Sequence, residues 1–412
     1  MSLAVLSVAA LVTAVAVSCV SRLNVGVLAV ALAWIVGVYI GGLPVNTVMS
    51  GFPSQLCLTL IGVTLLFALA QANGTLERIA HHAVRICRGN CGTIPVMFFM
   101  LGAALSSMGP GNIATAALLA PLAMATATRT GIPLFLMAIM VGNGANSGAL
   151  SPFAPTGIIV NGLMARNGLP GLQWSTYFYN LAAHALVAFS GYALFGGLKL
   201  FFAGRAPEVH LPGEDSARFK RRHWVTVGVI AALILAVILA GVNVGMGAFA
   251  GAVVLVLSGS ADDGEAMKRM PWRVIVMVCG VTVLIALVER AQGMDLLVSA
   301  ISRVASAQTV TPFIAFLTGV VSVYSSTSGV VLPAFLPMVP GLAAQLPGAS
   351  AMGIATAMNI GGHLVDVSPL STIGALCLAG APAEEARPLF NKLLAWGLSM
   401  AIVGAVISYL LF

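Results

Sequence analysis

Apolar residues run in long blocks along this chain. Eight blocks, near 2–20, 24–42, 55–73, 177–201, 223–241, 243–259, 272–289 and 389–411, hold almost no charge in their interiors. A helix needs about 20 apolar residues to cross the hydrocarbon of a bilayer, so each block predicts a membrane-spanning α-helix. Two longer apolar segments, 132–163 and 349–379, are broken at their centres by Gly, Asn, Ser and Pro. Two more, 93–130 and 309–346, are interrupted by Gly/Pro and Ser/Asn/Thr clusters near 106–112 and 325–329. Each half of these two has about 13–17 residues before its polar break, short for a span. They are read as re-entrant hairpins that enter and leave on one face. The polar stretch 74–90, with His81 and His82, predicts an amphipathic helix on the membrane surface, and 292–306 is its counterpart.

Composition excludes the alternatives. Of 412 residues, 59% are hydrophobic and only 8% charged, against roughly 25% charged in soluble domains. A soluble fold would lack a polar exterior, and a disordered chain would be far less apolar. The net charge of +7 could suggest nucleic acid, but a membrane accounts for it better. With ten spans and two hairpins, one face collects 16 basic residues: Arg22, Arg78, Arg85, Arg88, Arg129, Lys199, Arg205, Arg218, Lys220, Arg221, Arg222, Lys268, Arg269, Arg273, Arg387 and Lys392. The other face collects Arg166, Arg290 and Arg303. That asymmetry marks the first face as cytoplasmic and places both termini outside. The first block lacks a basic start and is read as a retained span rather than a signal peptide. The six cysteines are scattered; Cys87 and Cys91 stand four apart without a second pair at zinc spacing. No disulfide framework, transition-metal site or organic cofactor is expected.

Short motifs recur at a nearly fixed offset. Asn24-Val25-Gly26 returns as Asn243-Val244-Gly245, and Gly62-Val63-Thr64 as Gly280-Val281-Thr282. Pro95 and Gly102 return as Pro312 and Gly319; Ser151-Pro152 with Gly157 returns as Ser368-Pro369 with Gly374. The expected fold is therefore an all-α polytopic membrane protein built of two repeats, 1–204 and 223–412, joined by a basic cytoplasmic linker, 205–222. Each repeat has five spans and one hairpin. Five is odd, so the second repeat is inverted. The first holds scaffold spans within 2–73, hairpin 93–130, broken span 132–163 and span 177–201. The second holds 223–289, 309–346, 349–379 and 389–411. Inverted repeats with broken helices characterise secondary transporters, whose substrate and ion sites lie at mid-depth where half-helices meet.

Four breaks supply the candidate site. The first tip offers Ser106, Gly111, Asn112 and Thr115; the first broken span offers Asn143, Asn146, Ser151 and Thr156. The second tip offers Ser325, Ser326 and Thr327; the second broken span offers Asn359, His363, Asp366 and Ser368. Gly and Pro end helices and free backbone groups. Freed N–H groups at a helix N-terminus suit an anion, while carbonyl and hydroxyl oxygens suit a hard cation such as sodium. Asp366 is the sharpest residue: of twelve acidic residues it alone lies mid-span, where an ionised carboxylate requires a partner, a proton or a cation. His363, three residues earlier, shares its helix face. The competing role for the two is a packed pair that only fixes the broken helix. His184, without neighbouring breaks, reads as a packed histidine. No Lys or Arg lies in any broken segment, which favours a small anion held by amides, hydroxyls and helix ends.

The two tipped hairpins and broken helices resemble the ion-transporter superfamily and its divalent-anion/sodium symporters. More narrowly, the run GNGANSGALSPFAPTGIIVNGL at 142–163 resembles the bacterial malonate/dicarboxylate carrier family, MatC-like. The resemblance implies import of malonate or another small dicarboxylate across the bacterial inner membrane, coupling to sodium or protons, an elevator mechanism and a homodimer. It places substrate carboxylates at Asn112, Thr115, Ser326 and Thr327. One sodium falls by Ser106, Asn143 and Asn146, another by Ser325 and Asn359. The family's Ser-Asn-Thr tip triplet is altered in both tips. Two other readings compete. A sodium/proton antiporter of the same superfamily would exchange ions at Asp366 and His363. An intramembrane hydrolase lacks an HExxH or GxSxG motif, so no enzymatic activity is expected.

Overall fold

The computed structural model describes residues 2–21, 23–86, 90–202 and 218–412. Every regular element among them is helical. The chain begins with α1 (Leu3–Val20), α2 (Val25–Trp34, continued by a π-helical turn), α3 (Val45–Met49), α4 (Ser54–Ala72) and α5 (Thr75–Ile86). A first helix pair follows, α6 (Thr93–Met108) and α7 (Gly111–Thr130). The first broken segment forms α8 (Leu134–Ser147) and α9 (Pro155–Arg166), and then come α10 (Gln173–Leu194) and α11 (Gly197–Phe202). Past the linker lie α12 (Arg221–Ala240), α13 (Val244–Leu257), α14 (Asp263–Arg269), α15 (Trp272–Arg290) and α16 (Gly293–Ser302). The second pair is α17 (Val310–Tyr324) and a return arm made of a π turn (Thr327–Val331), α18 (Leu332–Phe335), a 3₁₀ turn and α19 (Val339–Gln345). Finally α20 (Ala351–Leu364), a 3₁₀ turn (Val365–Val367) and α21 (Thr372–Ala379) form the second broken segment, before α22 (Ala383–Leu411).

Eight helical stretches among the described residues are long and apolar enough to cross a membrane. The chain is a multi-pass membrane protein. Lipid tails are as apolar as Leu, so these helices are held together by close packing rather than by exclusion from water. The recurrent motifs show how. Asn24 and Asn243 each cap a helix: Gly26 N donates to Asn24 Oδ1 at 2.9 Å, and Met246 N donates to Asn243 Oδ1 at 3.1 Å. The glycine that follows each cap then meets the other recurrent glycine. Gly26 of α2 lies against Gly280 of α15, and Gly245 of α13 lies against Gly62 of α4. A Cβ at any of the four would run into a facing backbone. The α2–α15 and α4–α13 contacts are thus reciprocal: each motif copy packs on the partner motif from the other half.

Among the described residues two large apolar cores and two smaller clusters result. The larger joins α1, α2, α4, α13 and α15 to α9 and to the second helix pair. The other gathers α6, α7 and α8 with the start of α22.

Several expectations need correction. The return arms run 20 residues in α7 and 19 across Thr327–Gln345, longer than the half-length expected from the breaks. The first tip is a turn of only Gly109-Pro110, because Gly111 and Asn112 already belong to α7. Helix length alone therefore does not separate a hairpin from a double span. The block at 177–201 is not one helix: it starts earlier, at Gln173, and breaks at Phe195-Gly196, where Gly196 has φ 93°. Pro333, Pro337 and Pro340 remove backbone donors from the second return arm, which explains its π and 3₁₀ turns. α14 was not foreseen, its seven residues being too few for a clear period. Arg22, Cys87, Arg88 and Arg205 lie outside the described residues.

Candidate functional site

The two tips use different backbone devices. In the first, Gly109 (φ 136°) and Gly111 (φ 78°) adopt conformations that side-chain-bearing residues avoid, which lets α6 turn into α7 within two residues. Gly109 also lies against the Phe67 ring of α4, leaving no room for a side chain. The second tip has no such glycine. Ser325 and Ser326 are extended, and Gly329 N donates to Ser326 Oγ at 3.2 Å to start the return arm.

The tips meet. Asn112 and Ile113 of the first tip and residues 324–328 of the second line one cavity of about 210 Å³. His363, Asp366, Ser371 and Thr372 of the second broken segment complete it, with Ser18 of α1. Thr327 Oγ1 donates to Asp366 Oδ1 at 2.8 Å. Ser322 Oγ donates to the Gly362 carbonyl at 2.9 Å. Ser371 Oγ donates to the Asp366 carbonyl, and Ser18 and Ser325 share a hydrogen bond of 2.7 Å. A second cavity, of about 250 Å³, lies on the other side of Asn112. Its walls include Gly111, Pro155, Thr156 and Ser328, Thr64, Phe67, Ala68 and Gln71 of α4, and Arg269.

Behind the first tip runs a buried amide network. Asn112 Nδ2 donates to Asn146 Oδ1 at 2.9 Å, and Asn180 Nδ2 donates to the Asn146 carbonyl at 2.9 Å. Asn143 Nδ2 donates to the Ile139 carbonyl, while its Oδ1 lies 2.8 Å from His184 Nδ1. Several buried atoms here have no partner: Ser106 Oγ, Thr115 Oγ1, Asn146 Nδ2, Asn180 Oδ1 and His184 Nε2. On the second side Asn359 Nδ2 and Oδ1 and His363 Nε2 are unpartnered. An unsatisfied buried polar group costs about 1–3 kcal/mol. Three of these unpartnered atoms, Ser106 Oγ, Thr115 Oγ1 and Asn180 Oδ1, are oxygens of the kind that a hard cation takes.

The structure sorts the candidate residues into three groups. Asn112, Ser325, Ser326, Thr327, His363 and Asp366 line the 210 Å³ cavity, and Gly111, Asn112 and Thr156 the 250 Å³ one. Ser106, Thr115, Asn143, Asn146 and Asn359 are buried behind the tips. Ser151 and Ser368 line neither cavity. Ser151 Oγ donates to the Ser107 carbonyl and Ser368 Oγ accepts from Leu370 N, so both hydroxyls shape the breaks. The His363–Asp366 pair does not form, because His363 Nδ1 donates instead to the Asn359 carbonyl one turn back. His184 does more than pack, since it joins the Asn143 amide. Sequence reasoning also missed Ser18, Ser371 and Arg269. The first and last come from elements distant in sequence, and Ser371 was visible only as part of a Ser/Thr-rich break.

Among the described residues, no Lys or Arg lines the 210 Å³ cavity. Its positive field comes from backbone: Asn112 sits in the first turn of α7, and Ser371 caps α21 by accepting from Gly374 N. Its negative pole is Asp366. One cavity thus offers donors for an anion and a carboxylate for a cation.

Residues 1–149 match the family model described as the dicarboxylate carrier protein MatC N-terminus. No curated protein matches the chain. Among solved structures the chain is similar to the Alcanivorax borkumensis YdaH transporter, described as having an unusual topology. The TM-score is 0.60 at 17% identity, over 88% of this chain and 87% of that one. Sequence and fold agree: residues 1–149 match the N-terminal segment of the MatC dicarboxylate carriers, and the chain as a whole has the fold of a membrane transporter.

Proposed function

We propose that this protein is a secondary active transporter that imports a small dicarboxylate, malonate or a C4-dicarboxylate, by sodium-coupled symport with an elevator motion. The observation that carries the proposal is the cavity in which both tips meet Asp366. Helix pairs crossing fully would put their turns at opposite membrane faces. Turns that meet instead support two hairpins entering from opposite sides. The reciprocal α2–α15 and α4–α13 packing of recurrent motifs supports two inverted repeats.

In the proposed cycle the amide and hydroxyl donors at Asn112, Ser326 and Thr327 hold the substrate carboxylates. One sodium binds near Ser106, Asn143 and Asn146, and the buried Ser106 and Thr115 hydroxyl oxygens lack partners. Asp366 neutralises a second cation at the other tip, near Ser325 and Asn359. The neighbouring Ser151, Thr156, His363 and Ser368 keep the breaks in shape around the substrate. The protein then acts as a homodimer in the bacterial inner membrane, with both termini outside and the basic loops in the cytoplasm.

Purified protein in proteoliposomes should accumulate labelled malonate or succinate when an inward sodium gradient is imposed. Absence of gradient-driven uptake across a panel of small dicarboxylates would end this reading. Sodium-dependent pH changes in vesicles without dicarboxylate would point to the antiporter. That alternative is weakened by His363, which bonds to the Asn359 carbonyl instead of pairing with Asp366.

A further inference from the structure

None of the four breaks carries Lys or Arg, yet an anion is the proposed cargo. The fold supplies one guanidinium from elsewhere. Among the described residues that line the two tip cavities, Arg269 is the only one with a permanent positive charge. It lies in the last turn of α14, a short helix in the loop between α13 and α15 that packs against α4. The 250 Å³ cavity is lined by Arg269 and Pro271, by Gln71, Ala68 and Phe67, and by Asn112 of the first tip and Ser328 of the second.

The partner of Arg269 is replaceable. Its Nε and Nη2 donate to the same oxygen of Glu265, at 3.2 and 3.1 Å, and the pair is partly exposed. Exposed pairs of this kind hold weakly. The other Glu265 oxygen lies 3.7 Å from Lys268. When Arg269 turns to another carboxylate, Glu265 therefore keeps a cation beside it. The guanidinium fork matches a carboxylate in two-pronged geometry, which an ammonium does not.

We propose that Arg269 is a carboxylate-docking residue at the mouth of the tip cavity. It exchanges Glu265 for a carboxylate of the dicarboxylate as the substrate passes between the tips and the face bearing the basic loops. The assignment rests on the dicarboxylate reading above. It predicts sidedness: Arg269 serves substrate arriving from or leaving to the basic-loop face and leaves capture from the opposite face unchanged.

The test uses the full-length protein in proteoliposomes of defined orientation, with labelled malonate and succinate presented to each face. Arg269→Gln should raise the apparent KM on the basic-loop face by about tenfold or more and leave the opposite face within twofold. Arg269→Lys should recover part of that loss. Glu265→Gln, which releases the guanidinium, should lower the same KM. Raising ionic strength should raise the wild-type KM on that face and leave that of Arg269→Gln nearly flat. The thermal unfolding temperature in detergent checks that each variant folds. Wild-type transport of a dicarboxylate with an unchanged basic-loop-face KM in folded Arg269→Gln overturns the docking role alone. The same holds if Glu265→Gln and Arg269→Gln shift KM in the same direction. A wild-type protein that transports no dicarboxylate overturns this assignment together with the proposed function.

Discussion

A buried hydroxyl without a partner is a liability unless something binds it. Thr115 Oγ1 is such a group, one turn after Asn112 and 1% exposed. Replacing an unsatisfied hydroxyl by a methyl of the same shape is close to neutral for the fold. Thr115→Val should therefore unfold at or above the wild-type temperature without sodium, and lose the stabilisation that sodium gives the wild type. A melting series in sodium and in choline reads this directly; an unaltered sodium response would remove Thr115 from the cation site. Asp366 makes the opposite case, as a carboxylate held by the Thr327 hydroxyl in the cavity wall. Asp366→Asn keeps the shape and the acceptor oxygen but removes the charge. Expression should be unchanged while sodium-driven uptake is lost or becomes independent of the gradient. Wild-type uptake in that variant would make Asp366 a purely structural residue. At this scale the sequence exposed Asp366, because a lone mid-span acid stands out against an apolar background. It could not reveal that His363 turns to Asn359 or that His184 joins Asn143. Those choices depend on which acceptor lies within reach once helices have packed.

Helices in lipid approach only as closely as their side chains allow, so the glycines at the α2–α15 and α4–α13 crossings set the distance between elements. A methyl at Gly280 would meet the Gly26 backbone, and a Cβ at Gly62 would stand 2.5 Å from the Gly245 carbonyl oxygen. Gly280→Ala should destabilise the protein by about 1–3 kcal/mol, the usual cost of overpacking. Thermal unfolding in detergent measures it, and an unchanged midpoint would show that the crossing can widen freely. The recurrence of Asn-Val-Gly and Gly-Val-Thr was readable in the sequence. Its physical content was not: the Asn is a cap, and the two glycine motifs touch crosswise. Element boundaries were less legible at the first tip, where two positive-φ glycines compress the turn to two residues. α14 escaped notice because a seven-residue helix of mixed polarity has too short a period to read.

Across the molecule, the proposed function depends on two sequence-distant tips sharing one cavity. Cysteines introduced in place of Ile113 and Ser328, with the native cysteines replaced, should be bridged by a short bifunctional thiol reagent, and bridging should stop uptake. Two positions that react singly but never join would separate the tips and remove the shared site. The hydrophobic pattern by itself determined a multi-pass helical membrane protein, because in lipid the backbone must satisfy its own hydrogen bonds and apolar length decides what can cross. It also located all four breaks, since Gly, Pro and Asn at mid-depth have few other uses. Only the tertiary structure decided which breaks meet, which buried oxygens lack partners, and that Arg269 reaches the tip cavity from a loop helix. Those are facts of distance between segments far apart in the chain. They are fixed by how helices interlock, on which the local order of residues places almost no constraint.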